Sequence, residues 1–160
     1  MSAPVHELLE AIGGRSRHRL GRITTPDVHW EDPLTAEPLV GAEALSDHLA
    51  RFWAAFPDGR VERIGDVLTG GRHAAAPVLV RGTHTGETSA ELPPTGKELA
   101  MHAILWCELD GSQPALVRRA RAFFDPADAG RQLGVLPARG GVGERLLLML
   151  QGFGLRSPRP

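Results

Sequence analysis

The apolar period changes at Pro57, and that change constrains the fold more than any other feature of the chain. Just before it, "GAEALSDHLARFWAAFPDG" sets Leu45, Leu49, Phe52, Trp53 and Phe56 on one stripe at helical spacing, and Pro57 with Gly59 stops the helix. Beyond it the apolar residues alternate. Segments 61–68, 74–85, 98–109 and 116–125 read as strands, separated by turns at Gly70-Gly71, 93–96 and 110–114. Pro77 inside the second of these points to an edge or a bulge. Upstream, residues 4–24 read as two helical pieces broken at Gly13-Gly14, with Leu8, Leu9 and Ile12 as the stripe of the first. "PDVHWEDP" (26–33) reads as a short strand ended at Asp32-Pro33, because a residue before proline is pushed out of the α region. "DPADAGRQLG" (125–134) opens a short helix, 137–143 reads as a linker, "GERLLLMLQGFG" as a last helix, and the terminal "RSPRP" is expected to be loose.

Helices followed by hairpin-linked strands make an α+β domain, with residues 61–125 forming one curved antiparallel sheet covered by helix 42–56. The domain is expected over residues 1–136, with 137–160 as a linker and short helical tail. A sheet bent over helices and open at one end encloses a pocket.

Charge narrows what that pocket serves. A formal net charge of −1, with basic groups scattered and Lys97 the only lysine, gives no electrostatic case for nucleic acid or an anionic membrane. The lone Cys107 excludes an internal disulfide and reads as core. The N-terminal "MSAPVHELLEAI" lacks the pattern of a secretory signal, and the apolar run 146–150 is too short to span a bilayer. The expectation is a soluble, cytoplasmic domain.

The stretch "RGTHTGETSAELPPTGKEL" (81–99) carries the functional question. A phosphate-binding loop needs glycine, four residues, then Gly-Lys-Ser/Thr; here Gly96-Lys97 runs into Glu98, and Glu91 stands where the first glycine belongs. For a metal, His84 and His102 could face each other across the hairpin, but two histidines fall short of the three or four ligands zinc needs, even if Asp125 is a candidate third. No metal or cofactor is assigned. A hairpin remains, its loop closed by Pro93-Pro94-Thr95-Gly96, where proline presets φ and glycine supplies a positive φ.

"GTHTGE" followed after a short gap by "PPTGKEL" resembles the hairpin of the SnoaL-like polyketide cyclase (ester cyclase) family, of the nuclear-transport-factor-like superfamily. "WEDPLTAEPLVGAEAL", "FWAAFPDG", "ELDG" and "FFDPADAGRQLG" follow the family's order, so the resemblance spans roughly residues 27–134 of one domain. It implies a cone-shaped fold, a strongly curved antiparallel sheet with the N-terminal helices packed on its concave face. It also implies a cofactor-free enzyme of aromatic polyketide metabolism that closes a ring by intramolecular aldol condensation. The base would be an aspartate at the end of the last long strand, here Asp125. Two departures stand out: the turn after "DG" is stretched by "SQPAL", and the tail beyond 134 is longer than the motif requires.

Each candidate carries two readings. Asp125-Pro126-Ala127-Asp128 has the form of a helix start, with Asp125 as cap; alternatively, alternation sets Asp125, Phe123, Arg121 and Arg119 on one face, where Phe123 would raise a basic carboxylate's pKa and Arg121 lower it. His84 and His102 either satisfy local hydrogen bonds or, like Arg121, stabilise an enolate, with Arg121 and Phe123 also expected to contact substrate. His102 shares a face with Ile104 and Trp106, suited to a flat apolar substrate. Trp30, Phe52 and Phe56 complete the expected substrate wall, and His48 reads as interfacial. The chain has neither tyrosine nor asparagine, which removes a steroid-isomerase type of oxyanion hole and the water-positioning groups of epoxide-hydrolase relatives. The expected partner is a hydrophobic small molecule. The alternative is a non-catalytic binding or dimerisation module on the same fold. Strand 98–109 is apolar on both faces, so a homodimer covering the convex face is expected.

Overall fold

The computed structural model describes residues 3–87 and 93–150. The centre of the 81–99 stretch and the terminal segment with Phe153 and "RSPRP" lie outside the described residues. Two helices open the chain, α1 (Ala3–Gly13) and α2 (Arg17–Ile23), followed by β1 (Thr24–Glu31), β2 (Leu39–Val40) and the long helix α3 (Ala42–Ala55). Strands β3 (Arg60–Arg63), β4 (Leu68–Gly70), β5 (His73–Thr83), β6 (Glu98–Leu109) and β7 (Val117–Phe123) come next, then α4 (Pro126–Gln132) and α5 (Val142–Leu150). All seven strands join one curved, unclosed sheet in the order β2-β1-β7-β6-β5-β3, with β4 also on β5. Residues 60–123 pair antiparallel throughout, as the period change implies, while β1 runs parallel to β7 and carries the N-terminal helices back across the sheet.

The segment read as one strand over 61–68 is two. β3 pairs with β5 as far as Val78 and β4 resumes at Ala75, so Pro77 lies opposite the break. Proline has no N–H to give a neighbour on that side, and Gly65 there leaves room for its ring: a Cβ on Gly65 would come within 2.8 Å of Pro77 Cγ.

Among the described residues, only one face of the sheet meets helices. Val5 and Leu8 of α1, Leu20 of α2 and Leu45 of α3 are fully buried with Val28, Val117 and Cys107 from the strands. The Trp53 indole N–H donates to the Ile12 carbonyl at 3.1 Å and fixes α3 against α1. Gly82 lets β5 pass close to the end of α3, since a Cβ there would approach Phe56 Cβ to 3.0 Å. Before Ile104 the β7 side of β6 has no strand partner among the described residues. The Gln132 carboxamide fills the gap, accepting from Ala100 N at 2.8 Å and donating to Ala100 O at 3.1 Å, which docks α4 across the open end of the cone.

Two leucines test this assignment of inside and outside. Leu45→Ala empties a fully buried site and is expected to cost about 2–5 kcal/mol in chemical denaturation. Leu68→Ala, on the exposed β4, is expected to change stability by less than about 0.5 kcal/mol. Equal effects would contradict the packing.

Candidate functional site

Between α3, α4 and the inner face of the sheet lies a cavity of about 360 Å³. Its walls are apolar, and the titratable side chains among its described lining residues are three: Asp32, His48 and His84.

Asp32 follows β1 directly. Pro33 turns the chain there, and the Asp32 side chain closes the turn on itself: Oδ1 accepts from Leu34 N at 2.8 Å, while Thr35 Oγ1 exchanges hydrogen bonds with the Asp32 backbone. Asp32 lines the cavity, and its Oδ2 accepts from Trp30 Nε1 at 2.8 Å. His48 Nε2, from the second turn of α3, meets the same oxygen at 2.6 Å. The two side chains are only 6% (Asp32) and 16% (His48) exposed. Burial pushes the Asp32 carboxyl up, but hydrogen bonds from His48, Trp30 and Leu34, with the charge of His48, outweigh it and hold the group below its ordinary value.

His84 is rooted where the β5–β6 hairpin opens. Its backbone N–H donates to Lys97 O at 2.9 Å and its carbonyl accepts from Gly96 N at 2.9 Å, with Gly96 at φ +68°. The ring is 1% exposed, its Nδ1 is 3.3 Å from Thr95 N and 3.2 Å from Thr95 Oγ1, and it lies 5.4 Å from the Phe56 ring. The Pro-Pro-Thr-Gly turn is thus a device for seating one histidine in the cavity wall.

Of the residues singled out from the sequence, the structure brings Trp30, Phe52, Phe56 and His84 together around this cavity. His48, read from the sequence as interfacial, joins them, and the other expected site residues lie elsewhere. Leu99, Ala103, Leu105 and Cys107 point inward along β6, so His102, Ile104 and Trp106 face outward, and His102 does not oppose His84. On β7 and just beyond, Ala122 and Phe124 line the cavity, so Arg121 and Phe123 turn away. Outside, Arg121 pairs with Glu31 and lies over the Phe123 ring at 5.8 Å, and Trp106 stacks on His73 at 5.5 Å. Asp125 is exposed at the start of α4, Oδ1 accepting from Ala127 N at 2.9 Å and Asp128 N at 3.1 Å, with Arg139 3.4 Å from Oδ2. The Asp128 N–H bond, the Ala127 bond and the charges of Arg139 and Arg131 overcome burial and hold its carboxyl below the ordinary value. Of the two roles open to Asp125, this is the geometry of the cap.

From the sequence, Asp32 reads only as a strand end and His48 only as interfacial. The signal was present in two spacings: Trp30 and Asp32 are two apart where β1 ends, and His48, Phe52 and Phe56 recur every four residues along α3 and its C-cap.

A family model described as the SnoaL-like domain matches residues 5–114. The chain belongs to the SnoaL-like family. Solved structures share the SnoaL-like fold. IdmH of Streptomyces antibioticus, a candidate polyketide cyclase, is 25% identical with a TM-score of 0.69, over 83% of this chain and 97% of its own. AclR of Streptomyces galilaeus, a candidate hydroxylase, is 20% identical with a TM-score of 0.70, over 94% and 91%. A candidate SnoaL-like polyketide cyclase from Jannaschia sp. CCS1 is 17% identical with a TM-score of 0.71, over 85% and 94%. No curated protein matches the sequence. Among the described residues, no helix is long and apolar enough to cross a membrane.

The Asp32 pair has a measurable acid dependence. A folded-state carboxyl held below its ordinary value of 3.8 stabilises the protein above about pH 4, and that contribution is lost as pH falls through the folded value. Asp32→Asn is expected to cost about 1–3 kcal/mol at pH 7. The gap to the wild type should narrow below pH 4, followed by denaturant melts across pH 3–7. A gap that widens on acidification would contradict the assignment.

Proposed function

We propose that this SnoaL-like protein draws a hydrophobic, polyketide-like molecule into the cone and closes a ring on it by cofactor-free acid–base catalysis of the aldol type. The observation that carries this is the cavity itself: an apolar enclosure with very few ionisable groups in its wall. Apolar walls strip water from a bound carbonyl compound and strengthen every polar contact within. A base in the wall removes a proton from carbon flanked by carbonyls, leaving an enolate. The enolate carbon attacks a second carbonyl of the same molecule, a carbon–carbon bond forms, and the resulting alkoxide takes up the proton. Cavity-wall hydrogen bonds stabilise the negative charge on oxygen as it moves. The likeness to IdmH, a candidate polyketide cyclase, supports this substrate class.

One observation favours a second reading, a binding module without turnover: Asp125, the base implied by family resemblance, lies outside the cavity. Binding and turnover separate the two. Anthrone or 2-tetralone, both apolar ketones with acidic C–H bonds, should quench tryptophan fluorescence saturably, and Ala103→Phe, which fills the cone, should abolish the quenching. Asp125→Asn should leave turnover of a cyclisable substrate within about two-fold, since asparagine caps a helix about as well as aspartate. A loss of two to four orders of magnitude, the range of a missing general base, would return the base to Asp125. Saturable binding with no turnover of any polyketide ester would leave the binding module.

The outer face supports the proposal of a homodimer. Ile104 is 43% and Phe123 50% exposed, and the two are cross-strand neighbours on a face that no helix of the described residues covers. Sedimentation at micromolar concentration should give a dimer, and Ile104→Glu should shift it to monomer. A wild-type monomer under those conditions would refute it.

A further inference from the structure

Resting on the reading of the cone as an acid–base site, we infer that His48, through Nδ1, is its proton acceptor, with Asp32 and Trp30 as positioning residues. The argument begins at the carboxylate. Asp32 receives Leu34 N at Oδ1, and Trp30 Nε1 and His48 Nε2 at Oδ2, at 2.8, 2.8 and 2.6 Å. An ionised carboxylate only accepts, so the ring nitrogen facing it must carry hydrogen. In the neutral imidazole the proton is therefore on Nε2 and the lone pair on Nδ1. No hydrogen bond to Nδ1 occurs among the described residues, and the ring lines the cavity. Asp32 itself, engaged on both oxygens, is poorly placed to take a proton from a ligand. The division of labour is that of a catalytic dyad: the carboxylate sets tautomer and orientation, and Nδ1 is left to accept the proton.

Scaffold alone does not explain the pair. Two ionisable groups in an apolar wall cost desolvation, and hydrophobic side chains of similar volume often serve stability as well or better. The neighbouring stripe positions, Phe52 and Phe56, are of that kind. The pair instead leaves one ring nitrogen without a hydrogen bond among the described residues, beside an apolar cavity, an arrangement suited to proton transfer with a bound ligand.

The step balances without a co-reactant. His48 Nδ1 takes the α-proton of a bound ketone, the C–H electrons pass into the enolate, and the imidazolium returns a proton to the same carbon. In deuterium oxide the returned atom is deuterium, so exchange at the α-carbon reads the step directly.

The experiment follows exchange of 2-tetralone by proton NMR, with wild type, His48→Gln and Asp32→Asn protein, while tryptophan quenching monitors binding. The wild type should accelerate exchange. His48→Gln should bind 2-tetralone with similar affinity and lose the acceleration by about two to four orders of magnitude. In parallel, nitrogen-15 NMR of labelled histidine should show His48 protonated at Nε2 in the wild type, with Nδ1–H becoming populated in Asp32→Asn. A merely structural Asp32 would leave that tautomer signature unmoved. Binding with exchange that survives His48→Gln, or binding with no wild-type exchange, overturns the inference and leaves the cone as a ligand site. Absence of binding overturns the cone reading instead, and the tautomer measurement still decides: Nδ1–H in the neutral wild-type ring refutes the role given to His48.

Discussion

The antiparallel ladder between β5 and β6, eleven residue pairs from His73–Glu108 to Thr83–Glu98, is the constraint on which the rest of the structure depends. It is the longest pairing in the sheet, and it fixes which residues of β6 look inward. A slip of one residue would send Ala103, Leu105 and Cys107 to the outer face and drive His102, Ile104 and Trp106 against the helices. The ladder also ends at the hairpin that holds His84, so one register places both the cavity floor and a histidine in its wall.

The elements were legible because their period is strong. The helix stripe from Leu45 to Phe56, the alternation after Pro57 and the turn residues each have a local physical cause, and the structure follows them closely. Facing was harder to read. β6 is apolar on both sides, so alternation alone cannot tell its floor from its back; that choice is made by partners distant in sequence, chiefly Val117 and Ala120 of β7 and the leucines of α1 and α2. Once Phe124 lies inward, Asp125 must turn out, and no local feature of "FFDPAD" reveals that parity.

Asp32 illustrates a different limit. Reading Asp-Pro as a strand end was sound, and Oδ1 closes the turn as such a reading implies. A carboxylate has two oxygens, however, and Oδ2 serves partners on another strand position and on a helix sixteen residues away. Turn chemistry accounts for Oδ1 in full, and nothing local to "WEDP" marks the partners of Oδ2.

A buried carboxylate in an apolar cone survives only if its surroundings are arranged before a ligand arrives. Each donor to Asp32 is held by an independent element: Leu34 by the turn after β1, Trp30 by β1 itself, His48 by α3. Because α3 is tied to α1 through Trp53 and Ile12, and β1 is paired on both sides by β2 and β7, these elements have little freedom to separate. The cost of ordering the polar group is therefore met during folding, by the same contacts that build the core, and need not be met again on binding. This ties the site to the fold more closely than a loop-borne aspartate could. Because His48 rides on α3, packing around Leu45 and Leu49 bears on the Asp32–His48 distance as well as on stability, and the proton transfer proposed for the cone should be sensitive to it.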